Sequence, residues 1–234
     1  MKVLVIPDVH LKPDIFDMAT RTMEKTDCER AVCVGDIVDD WGCEKKVELY
    51  ENTLKKAVEF ASSFPNTLWC YGNHDLAYLW NQYTHPGFSV YAQEKVRKYF
   101  SQLNDTGNLA VMHRIDNTIF SHAGLTREFV DYYLSDLRNN VDKMIGAVNK
   151  YGKEVLWDDM SPVWARPQYH YSNGDVIPYG YLHVVGHTPM KEITQQGNLL
   201  TVDVFSTWSD GRPYGNRELC WVDTVTREWG KVVI

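Results

Sequence analysis

Five short apolar runs, each followed at once by Asp, Asn or His, restrict the fold of this chain more than any other feature of its sequence. Apolar runs of this length are typical of buried strands, and Gly and Asn at their ends tolerate the backbone conformations of turns. The segments that end the five runs are Asp8-Val9-His10, Gly35-Asp36-Ile37-Val38-Asp39, Gly72-Asn73-His74-Asp75, Ser121-His122-Ala123-Gly124 and Gly186-His187-Thr188. The pattern indicates a sheet whose strand ends carry polar side chains.

Strands and helical patterns alternate along the first half of the chain, which predicts an α/β sandwich. Between residues 44 and 62, for example, apolar side chains recur at helical spacing, as at Val47, Tyr50, Leu54 and Ala61. The late strands are closely spaced, so we expect antiparallel pairing among them. The predicted strands span residues 2–7, 31–35, 67–71, 118–121, 181–185, 199–204, 219–223 and 231–234, and the predicted helices span residues 15–26, 44–62 and 90–103.

A length of 234 residues is enough for one sizeable core. The chain has 44% hydrophobic and 24% charged residues, which excludes a mainly disordered protein. A polar, aromatic and irregular stretch at about residues 126–179 interrupts the strand pattern, and we expect it to leave the sheet as a cap over a site. We therefore predict a single domain over residues 1–234 with one cap-like excursion.

The formal net charge of −7 provides no general attraction to nucleic acid or to an anionic membrane. Pro7 and Asp8 interrupt the apolar start too early for a signal peptide, and no apolar run approaches the roughly 18 residues that a membrane span needs. We expect a cytoplasmic protein with no membrane partner and no dedicated nucleic-acid surface. The five cysteines form no C-x-x-C pair and are odd in number, which favours buried, reduced thiols.

The polar residues at the strand ends favour a metal site. In open α/β sheets, ligands bind beyond the carboxyl ends of strands, where side chains from separate strands converge. Carboxylate, imidazole and amide groups suit Mn²⁺, Fe and Zn²⁺. Two cations about 3.5–4 Å apart, bridged by one carboxylate, clamp a phosphoryl group and lower the pKa of the water that attacks it. Each segment alone is more typical of a turn or a structural histidine, but the five together favour metal-dependent phosphoester hydrolysis.

The order of the five segments resembles that of the calcineurin-like metallophosphoesterase superfamily. The resemblance covers residues 8–188 and rests on the motifs D-x-H, G-D-x-V-D, G-N-H-D, S-H-A-G and G-H-T. It implies an α-β-β-α sandwich in which two mixed β-sheets are flanked by helices. Three features are similar to the phosphoprotein phosphatase branch, which includes bacterial and phage Ser/Thr phosphatases and symmetrical dinucleoside tetraphosphatases. They are the V-D pair ending at Asp39, the H-A-G-L segment at residues 122–125, and Pro189, where many superfamily members carry a second histidine.

The resemblance also implies a role for each polar residue at the strand ends. Carboxylate, imidazole and amide groups would hold two divalent metal ions there. The resemblance favours Mn²⁺, with Fe and Zn²⁺ as alternatives. One ion would be bound by Asp8 and His10, the other by Asn73, His122 and His187, and Asp36 would bridge the two. His74 would stand near the leaving-group oxygen as general acid, and Asp39 would orient its imidazole ring.

A candidate phosphate-binding residue lies in the excursion. The W-x-R-P element at residues 164–167 resembles a phosphate-binding segment of bacterial phosphatases and dinucleoside tetraphosphatases. It makes Arg166 the candidate, because a guanidinium fork matches phosphate oxygens. The alternative is a surface arginine that stacks on Trp164 or pairs with Asp158 or Asp159.

Two departures from the phosphoprotein phosphatase pattern bear on substrate choice. Asp40 stands where these enzymes usually carry an Arg that grips phosphate, and Asp75 stands where most have Glu. A carboxylate beside phosphate is repulsive unless it points away or binds another group. Four histidines away from the strand ends are expected to be structural or exposed, namely His85, His113, His170 and His183. Asp203 is expected to make turn contacts.

The residues favour a phosphomonoesterase that acts on a phosphorylated protein, as a Ser/Thr protein phosphatase does, or on a small phosphoester. The W-x-R-P element and the aromatic excursion leave a second function open, which is hydrolysis of a dinucleoside polyphosphate or a phosphodiester. A third function is that of a scaffold that binds partners without turnover. Such scaffolds usually lack a ligand or the catalytic histidine, and this chain keeps all of them.

Overall fold

Two β-sheets that share one apolar core form the centre of the molecule. The computed structural model describes residues 1–82, 85–170 and 175–233. The strands within these ranges are β1 (Lys2–Ile6), β2 (Arg30–Cys33), β3 (Leu68–Cys70), β4 (Leu109–Ala110), β5 (Met112–Ile115), β6 (Thr118–Ser121), β7 (Leu182–Val185), β8 (Thr194–Gln196), β9 (Leu199–Thr201), β10 (Cys220–Asp223) and β11 (Trp229–Lys231). The helices are α1 (Asp14–Lys25), α2 (Val47–Ser63), α3 (Asn73–Leu79), α4 (Gln93–Asp105), α5 (Arg127–Tyr133), α6 (Val141–Val148), α7 (Lys153–Leu156) and α8 (Pro167–His170).

The first sheet has the strand order β11-β10-β1-β2-β3-β4, and the second has the order β5-β6-β7-β9-β8. Strands β1 to β4 run parallel, because helices carry the chain back to the same edge between them. Strands β10 and β11 join the other side of β1 as antiparallel neighbours. In the second sheet, β6, β7 and β9 are parallel, while β5 and β8 are antiparallel edge strands. Both sheets are therefore mixed, which confirms the predicted fold class.

The central strands are buried on both faces. Strand β1 is apolar beyond its first residue, and Val3 to Ile6 are fully buried, as is typical of a parallel strand covered on both sides. Neighbouring side chains of a strand point to opposite faces. In β6, Phe120 accordingly packs in the core shared by the two sheets, and Ile119 packs in a second core with residues of α5 and α6. The two cores place helices on the outer face of each sheet.

The three predicted helices correspond to α1, α2 and α4, with ends at most three residues from the predicted ones. The predicted final strand was misplaced, since β11 lies at Trp229–Lys231 and Ile234 falls outside the described residues. Antiparallel pairing of the late strands is confirmed for β8, β10 and β11, but β9 runs parallel to β7. The sequence did not indicate β4, β5, β8 or α3. Strands β4, β5 and β8 are too short or too polar to show a periodic pattern of apolar residues, and α3 begins inside a segment that resembles a turn. All five cysteines are buried and free, as predicted.

The excursion leaves the second sheet after β6 and returns at β7. Its described part, residues 126–170 and 175–179, contains α5 to α8 and no strand of either sheet. Phe129 and Met144 anchor it in the second core. Its function as a cap and the single-domain organisation stay predictions. Within the described ranges, no helix combines the length and the apolar character that a membrane crossing requires.

Removal of a core side chain should destabilise the protein strongly. Leu4 is fully buried in β1 between the parallel strand β2 and the antiparallel strand β10. We expect Leu4→Ala to lower the free energy of unfolding by about 2–5 kcal/mol, because it leaves a cavity in a packed core. Urea unfolding measures this change. Val233→Ala, at a side chain that is 88% exposed, is the control and should stay within about 0.5 kcal/mol of the wild type. Equal effects of the two substitutions would contradict the packing described here.

Candidate metal centre

The polar residues at the ends of β1, β2, β3, β6 and β7 meet around one carboxylate, that of Asp36. Its Oδ2 lies 3.3 Å from Nε2 of His122 and 3.7 Å from Nε2 of His10. Its Oδ1 accepts a hydrogen bond from the backbone N–H of His74 at 3.0 Å. Asp36 is almost fully buried, so these contacts are shielded from water. One carboxylate supplied after β2 is therefore surrounded by residues from three other strand ends.

Two groups of side chains at this edge have ligand atoms close enough to hold a metal ion, and they share Asp36. One group is Asp8, His10 and Asp36, and the other is Asp36, His122 and His187. Within each group the ligand atoms lie within 4.8 Å of one another. A carboxylate common to two ligand groups is the arrangement that a pair of bridged cations requires.

Three histidines of this cluster each donate one ring N–H to a backbone carbonyl. His10 Nδ1 faces the carbonyl of Asp39 at 2.9 Å, His122 Nδ1 faces that of Val34 at 2.9 Å, and His187 Nε2 faces that of Trp164 at 3.0 Å. A carbonyl only accepts, so the nitrogen that faces it carries the proton. In the neutral form of each ring, which a metal ligand requires, the other nitrogen has a free lone pair that points into the cluster. Carbonyls that fix the tautomer in this way are typical of metal-binding histidines.

The free lone pairs are crowded in the second group. His122 Nε2 lies 2.9 Å from Asn73 Oδ1 and 3.1 Å from His187 Nδ1, in addition to its contact with Asp36. All of these atoms are hydrogen-bond acceptors in the tautomers that the carbonyls select. Acceptors buried this close together repel one another unless positive charge lies between them. The donor set therefore fits a divalent cation.

Asp8 is fully buried, and its Oδ2 accepts a hydrogen bond from the backbone N–H of His187 at 2.8 Å. Its Oδ1 has no partner among the described residues. Burial, followed by the negative charges of Asp203 and Asp36, raises the pKa of Asp8 well above its ordinary value. Such a carboxylate is stable in its charged form only beside a cation. Asp8 has a raised pKa and a buried oxygen without a hydrogen-bond partner among the described residues, and it therefore also fits a metal ligand.

Backbone geometry at the strand ends is unusual. Left-handed φ angles, which non-glycine residues rarely adopt, occur at His10 (+41°), Asp36 (+48°), Asp39 (+66°) and His187 (+63°). Strained residues of this kind persist only where the surrounding structure determines them strongly, and they concentrate at functional sites. The strain turns each side chain away from its strand and towards the cluster.

Two glycines allow the strand ends to approach each other. A Cβ atom at Gly72 would overlap the Asp36 carboxylate, and one at Gly186 would overlap Oδ1 of Asp8. Any larger residue would therefore displace a carboxylate of the cluster.

His74 lies at the rim of the cluster and pairs with Asp39. Nδ1 of His74 is 3.0 Å from Oδ2 of Asp39, whose other oxygen accepts hydrogen bonds from the hydroxyls of Tyr50 and Tyr78. Burial opposes the charged imidazole, but the charge of Asp36 and the hydrogen bond and charge of Asp39 outweigh it and raise the pKa of His74 to about 9. By contrast, burial lowers the pKa of His10 and of His187, which keeps both rings neutral. A neutral ring suits a ligand, and a charged one suits a proton donor.

A cavity of about 240 Å³ opens above the cluster and is lined by His10, Asp36, His74, Arg166 and His187 among others. Arg166 reaches it from the excursion and donates through Nη1 to the carbonyl of His187 at 2.7 Å and to the hydroxyl of Thr188 at 3.3 Å. The described residues show no ion pair between Arg166 and Asp158 or Asp159. The structure thus places the predicted phosphate-binding residue beside the predicted metal ligands.

The two departures from the phosphoprotein phosphatase pattern have local explanations. Asp40 turns its Oδ2 to the ammonium group of Lys12 at 3.0 Å, and its Oδ1 accepts from the hydroxyl of Thr207. Although burial acts in the opposite direction, Lys12 and these hydrogen bonds lower the pKa of Asp40. Asp75 accepts from the backbone N–H groups of Gly72 and Ile37, both at 2.9 Å, and so joins the ends of β2 and β3. Neither carboxylate is left unpaired towards the cavity.

Sequence reasoning missed three residues at this centre. His85, expected to be structural or exposed, stacks on His74 with ring centroids 4.3 Å apart. Asp203 makes the expected turn contacts with Ser206, but its charge also raises the pKa of Asp8. Lys12, which pairs with Asp40, was not considered. No motif marks these positions, although their polar character near the site segments was a weak signal. Nothing is described of the side chain of His170.

A two-sheet α/β sandwich whose strand ends gather carboxylate, imidazole and amide ligands has the architecture of a metal-dependent hydrolase. Residues 1–210 of this chain match the calcineurin-like phosphoesterase family, and the chain belongs to that family. Members hydrolyse phosphoesters with a dinuclear centre of divalent metal ions. No curated protein sequence matches this chain significantly.

Solved structures of phosphatases share the fold. A cold-active protein-tyrosine phosphatase from a psychrophilic Shewanella species has a TM-score of 0.57 and 16% identity, over 99% of this chain and 80% of its own. A protein serine/threonine phosphatase from Saccharomyces cerevisiae has a TM-score of 0.54 and 20% identity, over 95% of this chain and 72% of its own. At these identities the likeness shows the fold alone, and the substrate and the roles of individual residues stay open.

The titration of His74 predicts how the stability of the metal-free protein depends on pH. The pKa rises from an ordinary 6.5 to about 9 in the folded state, which therefore binds more protons than the unfolded state between these values. The stabilisation is complete below about pH 6.5 and is lost as the pH rises through about 9. Asp39→Asn should reduce this loss, as measured by the free energy of unfolding at several pH values in chelator. Asp142→Asn, at an exposed carboxylate, should keep the wild-type profile. Identical profiles for Asp39→Asn and the wild type would contradict the pairing.

Proposed function

We propose that this protein is a phosphomonoesterase whose centre holds two divalent metal ions, with Mn²⁺ as the physiological metal. Asp8 and His10 would hold one ion, Asn73, His122 and His187 would hold the other, and Asp36 would contribute to both. The observation that carries this proposal is the crowding of acceptor atoms around Asp36. Two ligand groups share this carboxylate, and carbonyl groups turn a free lone pair of each histidine inward.

When bound, the two ions supply a nucleophile from water at neutral pH and withdraw charge from the phosphoryl group. The other contributions come from the chain. Asp36, Asp8 and the neutral imidazoles orient the site through contacts that the backbone already holds in place. Because the ligands are buried and preorganised, little reorganisation is required during the reaction.

His74 donates a proton to the oxygen of the leaving group as its bond to phosphorus breaks. It lines the cavity, and the hydrogen bond and charge of Asp39 favour its protonated form. Nδ1 is held by Asp39, so Nε2 is the atom that delivers the proton. Asp39 is itself held by two tyrosine hydroxyls, which leaves it little freedom to turn. A correctly placed general acid of this kind contributes about 10²–10⁴-fold to the rate.

Arg166 binds the non-bridging phosphate oxygens. One of its guanidinium nitrogens is anchored on the carbonyl of His187, and the side chain lines the cavity beside the metal ligands. An anchored guanidinium places its remaining N–H groups with less loss of entropy than a free side chain. Arg166 in this way takes over the phosphate contact that an arginine at position 40 provides in related enzymes.

The expected substrates are phosphoserine or phosphothreonine in proteins and small monoesters. A second cavity of about 620 Å³ shares the side chain of Arg166 with the first. Its size would admit part of a dinucleoside polyphosphate, which is the alternative substrate. However, Glu128, Asp158 and Asp159 line it, and their negative charges disfavour a polyphosphate chain. The charges of the described residues therefore favour the monoester.

A panel of substrates tests the proposed function. We expect the purified protein with Mn²⁺ to hydrolyse p-nitrophenyl phosphate and a phosphoserine peptide. We also expect kcat/KM for the peptide to exceed that for a dinucleoside tetraphosphate or bis(p-nitrophenyl) phosphate by at least about tenfold, since the second cavity is acidic. Phosphate release measures the peptide, p-nitrophenol release measures both p-nitrophenyl esters, and chromatography of the nucleotide products measures the tetraphosphate. A protein that leaves both monoesters intact with Mn²⁺, Fe²⁺ and Zn²⁺ would contradict the proposal.

Asp36→Asn should abolish turnover, with a loss of more than about 10³-fold, because one carboxylate serves both ions. Calorimetric titration with Mn²⁺ should also show weaker binding, so that the effect is traced to the metal. Asp27→Asn removes an exposed carboxylate that is remote from the centre and is the matched control. If Asp36→Asn bound two equivalents of Mn²⁺ with wild-type affinity, Asp36 would not be the bridging ligand.

A further inference from the structure

Three aromatic rings form a continuous stack that starts at His74. The rings of His74 and His85 have centroids 4.3 Å apart and an interplanar angle of 27°, and those of His85 and Trp164 are 5.3 Å apart at 17°. His85 therefore lies between the proposed proton donor and the residue that precedes Arg166 by two positions. Of the three rings, that of His85 is in direct contact with His74 and has no role in the proposed function.

The surroundings of His85 hold its ring in one orientation. Nδ1 lies 3.5 Å from the amide nitrogen Nδ2 of Asn73, so it faces a donor. The indole of Trp157 packs edge-on against the ring at 5.8 Å. Together with the rings of His74 and Trp164 on its two faces, these contacts leave the ring of His85 little freedom to turn.

His74 requires such support because a single hydrogen bond does not fix the plane of a ring. The bond to Asp39 holds Nδ1, but the ring is free to tilt about that contact. On one side His10 approaches edge-on, with centroids 5.3 Å apart and an angle of 88°. The face of His85 closes a second side. The two rings together restrict the tilt and thereby fix the direction in which Nε2 of His74 points.

We propose that His85 is a positioning residue, which holds the imidazole of His74 by stacking so that its proton is aimed at the leaving-group oxygen. This role rests on the proposed function. In the step concerned, an oxygen from water forms a bond to phosphorus, the bond between phosphorus and the leaving-group oxygen breaks, and the proton on Nε2 of His74 moves to that oxygen. A misaligned ring slows this transfer, while the site for the phosphoryl group remains intact. His85 acts through its aromatic face and not through its nitrogens.

A pair of aryl phosphates separates this role from a general structural one. The leaving group of phenyl phosphate resembles a tyrosine side chain, whose pKa is about 10, and needs a proton. The leaving group of p-nitrophenyl phosphate is a far weaker base and needs one much less. We expect His85→Leu, which fills the space without an aromatic face, to lower kcat for phenyl phosphate about tenfold or more, as part of the general-acid contribution. For p-nitrophenyl phosphate we expect a loss below about threefold, with KM little changed for both.

The conservative variant is His85→Phe, which keeps the stack without ring nitrogens. It should restore kcat for phenyl phosphate to within about threefold of the wild type. His113→Leu is the matched control, because His113 contacts a backbone carbonyl in β3, away from the cavity; it should keep the wild-type ratio of the two substrates. His85→Ala takes the place of the leucine variant if that variant does not fold.

The outcomes distinguish the two proposals. Equal losses on both substrates in His85→Leu, or failure of His85→Phe to restore phenyl phosphate hydrolysis, would overturn the role of His85 and leave the proposed function intact. A wild-type protein without activity on either aryl phosphate would instead count against the proposed function itself.

Discussion

The mutual repulsion of buried acceptor atoms around Asp36 is the constraint on which the centre depends. Three imidazole lone pairs, two carboxylates and an amide oxygen are brought together where water is largely excluded. Such a cluster costs several kcal/mol unless cations compensate it. The parallel strands, the glycines at their ends and the left-handed residues all maintain an arrangement that is unfavourable without metal. Stability is thus given up locally at a cluster whose atoms already lie close enough together to hold cations.

The hydrogen bonds around this cluster fix the directions in which its side chains point. Backbone carbonyls select the tautomer of each histidine, and two tyrosine hydroxyls hold Asp39. Asp75 joins the ends of β2 and β3, so the spacing between Asp36 and Asn73 follows from a hydrogen-bonded connection. Because these partners are backbone groups or buried hydroxyls, their geometry depends on the fold rather than on solvent.

Charge at the edge of the cavity is arranged in pairs. Asp40 would repel phosphate if it were free, but Lys12 neutralises it. The proposed phosphate-binding residue comes instead from the excursion, where Arg166 is anchored on the carbonyl of His187. The departure from the family pattern at Asp40 is therefore accompanied by Lys12 and Arg166, which come from two other segments of the chain. The fold brings the segments that carry Lys12, Asp40 and Arg166 to one edge of the sheets, and the family match over residues 1–210 includes all three segments.

From the sequence alone, the α/β class, the order of the strand ends and the ligand types followed directly, because apolar runs and the residues after them are local features. On that basis Asp8, Asp36 and His122 were predicted to converge, and the structure brings them together. The contact between His85 and His74 and the pairing of Lys12 with Asp40 were not, since they join residues that are distant in sequence and carry no motif. Only the packing of the two sheets and the excursion brings these groups together. Their influence on charge and orientation depends on distances and burial, which a linear pattern does not contain.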